Sequence, residues 1–173
     1  MGQIRSEDMQ PGVVVTHSAA IELTDAQIKA LPSTSIQIIP APGANKVLVF
    51  NTGSLVFNRV GDYSPAPHVD GYVQIEINGS PVSSVVDNAS GSLGALLGGE
   101  SSFCFLSPAN FAIPAGFPNA RAHTLALSNV TNAAMSLVCS NSGGGDFEGG
   151  DSANTLNVFV TYQILDVVTG EYV

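Results

Sequence analysis

The stretch that most constrains this chain is residues 155–168. Leu156, Val158, Val160, Tyr162 and Ile164 recur at every second position, with Asn157, Thr161 and Gln163 between them. Side chains of a strand alternate between its two faces, so this period of two specifies a long strand with one apolar and one mainly polar face. Phe159 interrupts the polar face. Such a strand belongs in a sandwich or at an interface. The 18 glycines and 10 prolines divide the rest of the chain into short apolar runs. No strand–helix alternation and no internal repeat appears, which excludes a parallel α/β sheet.

One helix is written into the first half. Thr24 reads as an N-cap, and Gln27 three residues on completes a capping box. Leu23 before the cap and Ile28 four residues after it are spaced as a hydrophobic staple. Pro32 cannot continue a helix and biases Leu31 out of the helical region. The spacing predicts one short helix near residues 25–31. Ile36 and Ile38 then alternate with polar neighbours, and the Pro/Gly sequence over 40–46 makes a corner.

The remaining strands follow from parity and turn chemistry. In residues 46–60, Leu48 and Phe50 share one parity and Leu55 and Phe57 the other. That switch requires an extra residue or a reversal at Asn51-Thr52-Gly53. Asn78-Gly79 is a type I′ hairpin pair; it sets Ile75 opposite Val82, Gln74 opposite Ser83 and Pro81 opposite Glu76. Proline has no N–H to donate, so that strand is an edge. A short first strand or two is expected over 13–15 and 21–23. Others follow at Phe103 and Phe105, near 123–128 around Leu125 and Leu127, and at Met135, Leu137 and Cys139, with a hairpin-like turn over 129–132. Residues 141–153 form a Gly/Asp loop, and residues 62–71 a second loop holding Tyr63. About eight to ten strands at this spacing predict an all-β, single β-sandwich or jelly-roll-like domain over 16–173, preceded by a polar N-terminal arm over 1–15.

Three of these segments carry a family likeness. The helix turn Leu23–Pro32, the corner Pro40–Lys46, and the Gly/Asp loop before the last strand resemble motifs of small tailed-phage structural proteins, in particular head decoration (cement) proteins. The resemblance implies a virion component on the outer capsid surface, with the major capsid protein and copies of itself, as a homotrimer, for partners.

Charge narrows the function independently. The chain holds 14 acidic and 5 basic residues for a net charge of −9, so it lacks the basic face that nucleic acid requires. With 11% charged and 45% hydrophobic residues, part of the surface is expected to be covered by other protein. No apolar run reaches the ~18 residues of a membrane helix, and the first residues lack the apolar core of a secretory leader. Cys104 and Cys139 read as buried, reduced thiols. His17, His68 and His123 have no ligand spacing. No Gly-x-Ser-x-Gly elbow or phosphate loop is present, so no catalytic residue and no cofactor is assigned. Asp146, Glu148 and Asp151 are the candidate ligands for a hard cation, because such ions take carboxylates from glycine-rich loops.

The sequence therefore leads to a non-enzymatic capsid decoration protein. Met9, Pro11, Val13 and Val14 in the arm are the expected partner anchors. One alternative is a tail, baseplate or head-fibre module of the same virion. Another is a carbohydrate-binding jelly roll, for which Tyr63 is the aromatic platform.

Overall fold

The computed structural model describes residues 14–64, 72–83, 86–87, 97, 101–108, 126–140 and 145–173. Its strands are β1 (His17–Thr24), β2 (Ile36–Ile39), β3 (Lys46–Asn58), β4 (Tyr63–Ser64), β5 (Tyr72–Ile77), β6 (Ser80–Pro81), β7 (Val86–Asp87), β8 (Ser102–Leu106), β9 (Met135–Ser140), β10 (Glu148–Gly149) and β11 (Thr155–Asp166). Short helices α1 (Asp25–Ala30) and α2 (Leu127–Val130) accompany them.

The strands form two main antiparallel sheets. One has the order β1-β11-β3-β8 and the other β2-β9-β5-β6, with β7 also pairing β5; β4 and β10 form a small third sheet. Both β6 and β7 lie along β5, opposite its two ends, and act as one interrupted edge strand. With β4 and β10 set aside, eight principal strands remain among the described residues. Numbered along the chain, they stand in the orders 1-8-3-6 and 2-7-4-5. That order is a jelly roll, two Greek keys folded into a sandwich. The inward faces of both sheets supply one core, including Leu55, Phe57, Leu156 and Val158 from the first and Val73, Ile75, Met135 and Leu137 from the second.

Local signals explain most of these elements. Gln27 Oε1 accepts the Thr24 backbone N–H at 3.0 Å, which completes the box at the start of α1. Leu23 and Ile28 are fully buried as the staple requires. Helix α1 packs on β1 and β11 and carries the chain from the first sheet to the second. The parity switch in β3 is a bulge rather than a reversal: Thr161 pairs Thr52 and Tyr162 pairs Phe50, so Asn51 is the extra residue. Leu48 and Phe50 in one half of β3 and Leu55 and Phe57 in the other thereby all point inward. The hairpin turn has positive φ at Asn78 (48°) and Gly79 (75°), as a type I′ turn demands. Pro81 pairs Glu76 on the sheet edge.

The structure departs from the expectation at several points. Where a short first strand or two was expected over 13–15 and 21–23, the described residues hold one strand, β1, from His17 to Thr24; residue 13 lies outside them. The small residues Ser18, Ala19 and Ala20 of β1 carry little hydrophobic signal, but β11 pairs with all of them. Leu127 and Ser128 lie in the helical turn α2, not in a strand. Thr131 Oγ1 donates to the Leu127 carbonyl at 2.7 Å and Asn132 takes φ 52°, which closes the turn before β9. Residues 123–125 lie outside the described residues. Ser83 does not stand opposite Gln74. The N–H groups of Val82 and Ser83 both reach the Ile75 carbonyl, at 2.9 and 3.3 Å, and Ser83 Oγ accepts the Ile75 N–H at 2.8 Å.

Candidate interaction surface

The outer face of the β1-β11-β3-β8 sheet is built by cross-strand register. One row runs Ser18, Thr161, Thr52; the next runs Ala20, Phe159, Ser54, Phe105; the third runs Glu22, Asn157, Val56, Phe103. These residues have the parity opposite to the buried Leu55, Phe57, Leu106, Leu156, Val158 and Val160, so alternation along each strand places them outside. Phe105 is 74% exposed, Phe103 54% and Phe159 44%.

The face has relief. Phe103 and Phe105 meet edge to face, centroids 4.6 Å apart at 87°, and make a ridge on β8. A groove of about 290 Å³ lies beside it, lined by Phe105, Phe159, Thr52, Gly53, Ser54 and Ala20 among others. Small residues in the middle of the sheet leave the space that two phenylalanines wall in. The outer face of the second sheet differs. Its groove of about 580 Å³ is lined by polar and small residues, including Glu76, Asn78, Asn129, Asn132 and Ser136, and among the described residues it has no aromatic wall.

The residues singled out from sequence form no cluster among the described residues. Met9, Pro11 and Val13 lie outside the described residues. Val14 is 45% exposed and sits three positions ahead of β1. Asp146 and Glu148 are exposed, while Asp151 is half-buried and its Oδ1 accepts the Ala153 N–H at 2.8 Å. Among the described residues no group of three or more His, Cys, Asp or Glu side chains is placed to hold a metal. His17 hydrogen-bonds the Val173 carbonyl at 3.1 Å and stacks on Tyr162; His68 and His123 lie outside the described residues. Cys104 is half-buried, Cys139 is buried, and neither is in a disulfide.

Tyr63 is corrected from a surface platform to a core residue. It is 4% exposed, stands in β4 opposite Gly149, and packs between the rings of Phe57 and Phe147. Burial raises its hydroxyl above the usual phenol range; the Asn154 amide opposes that rise and the Asp25 carboxylate adds to it. The Gly/Asp loop is pinned over the same spot. Phe147 is buried and its N–H donates to the Lys29 carbonyl, the Gly150 N–H donates to the Asp62 carbonyl, and Lys29 pairs with Asp25 at 2.6 Å.

Sequence reasoning placed Phe103 and Phe105 in a strand without choosing their face. Residues 103–106 are apolar at both parities, so alternation alone left the choice open. Phe159 in the polar row of β11 was the one local sign of an apolar outer face. Among the described residues no helix is long and apolar enough to cross a membrane. The chain matches no protein-family model, no curated protein and no solved structure.

Proposed function

We propose that this chain is a non-catalytic structural protein of a phage particle, a head decoration protein seated on the outer capsid surface across neighbouring major capsid proteins. The observation that carries the reading is the exposed aromatic face on a jelly-roll sandwich. Three phenylalanines in adjacent rows form a contiguous apolar surface, and such a surface marks a protein–protein contact. The low charge content and the motif resemblance at both ends of the chain support the same reading.

Decoration acts by mass action. A protein that binds the expanded lattice and not its precursor deepens the mature state by its binding free energy. Several linked copies engage several subunits at once, so each later contact forms at high effective concentration. Residues 1–15, with Met9, Pro11, Val13 and Val14 as anchors, are the lattice-contacting arm in this scheme.

The test uses expanded heads that lack the protein. Purified chain is expected to co-sediment with them and to raise their disruption temperature. Heads that neither bind it nor gain heat resistance overturn the proposal. Averaged images of the particle separate it from a tail or baseplate role, which would place the chain at one vertex instead of across the lattice.

A further inference from the structure

Among the described residues the aromatic face is free of charge except at one margin. Glu22, on the edge strand β1, is the one ionisable side chain among its three rows. The chain around it has a net charge of −9. Two copies meeting through acid-bearing surfaces would set carboxylate against carboxylate, and uncharged rows avoid that repulsion. A basic partner would find almost no carboxylate to pair with on this face, and complementary charge is what selects and steers such a partner. The charge distribution therefore favours a like-charged copy over a basic protein.

The relief fits the same occupant. An apolar ridge and an apolar groove lie side by side on one surface. A surface that offers both halves of a contact is complementary to itself, as a two-fold interface between identical chains must be. We propose that this face is the contact between copies of this chain, with the Phe103–Phe105 ridge of one copy filling the Phe105–Phe159 groove of another. The inference rests on the reading of the face as a protein-contact surface and names its occupant.

Area sets the strength. Four strands spaced about 4.8 Å apart and three rows about 7 Å apart cover on the order of 300–400 Å² before side-chain relief is counted. A standard stable interface buries about 800 Å² on each partner. Association through this face alone is therefore reversible and depends on concentration. Its energy is concentrated in the phenylalanines, as in aromatic hot spots.

Analytical ultracentrifugation of the full chain across the micromolar range tests this. The mean mass is expected to rise with concentration. It is expected to rise further with added salt, because screening weakens the repulsion between like-charged copies while the apolar contact persists. Phe105→Asp and Phe159→Asp alter exposed positions, and each is expected to lower the association constant by about 30-fold or more. Their melting temperatures should stay at the wild-type value. Leu127→Asp, exposed but outside the three rows, should associate like wild type. A wild type that stays monomeric, association that salt abolishes, or association that survives Phe105→Asp overturns the inference. A monomeric wild type that still binds heads would overturn this inference and leave the decoration reading standing. Self-association without head binding would do the reverse.

Discussion

Replacing Gly150 by alanine probes how firmly the Gly/Asp loop is clamped onto the sandwich. Gly150 has φ +71°, and a Cβ there would stand 2.6 Å from Tyr63 Cε1 and 2.7 Å from Asp25 Oδ1. The left-handed backbone alone costs an L-residue about 1–2 kcal/mol. Neither neighbour is free to give way. Tyr63 is wedged between Phe57 and Phe147, and Asp25 is held by Lys29. Forcing a methyl into such a site adds about 1–3 kcal/mol. The total is about 3 kcal/mol, which lowers Tm by roughly 10 °C for a domain of this size. Gly79→Ala supplies the control. Its φ is +75°, yet nothing lies within 4 Å of the added Cβ, so only the backbone cost applies and Tm falls by roughly 4 °C. Thermal unfolding followed by circular dichroism, with urea titration for the free energies, reads both variants. Equal losses would refute the reasoning, because Tyr63 would then not be clamped against the loop.

Gln27→Ala removes the acceptor of the Thr24 N–H and is expected to cost about 1 kcal/mol in a urea titration; an unchanged midpoint would show that the box is not needed. Asn154 is fully buried, accepts the Val60 and Gly61 N–H groups at 2.7 and 3.0 Å, and donates to the Gly61 carbonyl at 2.9 Å. Asn154→Ala strands those groups, and the loss should be about 3 kcal/mol by the same titration. Burial pushes the Cys139 thiol up to about 12. The unfolded thiol ionises near an ordinary value of about 8.5, so the unfolded state binds fewer protons above that pH. The Cys139 contribution is therefore constant below about pH 8.5 and falls by about 1.4 kcal/mol per pH unit above it. Cys139→Ala should show a shallower decline between those limits, and an identical slope in both proteins would count against burial as the cause. In the native protein a thiol reagent should modify the half-buried Cys104 well before Cys139.

Much of the local structure was legible because it depends on neighbours in sequence. The type I′ turn at Asn78-Gly79, the Pro81–Glu76 pair, the extra residue in β3 and the staple of α1 each follow from steric or hydrogen-bonding rules acting over a few residues. Tyr63 shows the opposite case. Its local sequence is a polar, proline-rich loop, but β10 and Phe147, far along the chain, bury it. Residues 18–20 were likewise missed as strand, because small side chains give no periodic signal and β11 alone supplies their hydrogen bonds.

The sequence by itself determined that the chain is all-β, where most of its turns lie and which parity of each long strand is apolar. Turn geometry and alternation are consequences of backbone sterics within a few residues. Only the tertiary structure decided that β11 lies between β1 and β3, and that Phe159 and Phe105 flank Ser54 in one row on the outside. The reason is physical. Every strand offers the same backbone donors and acceptors, so hydrogen bonding does not name the partner strand. The choice is made by the fit of all the apolar faces into one core, and the aromatic face outside that core comes into being only once the choice is made.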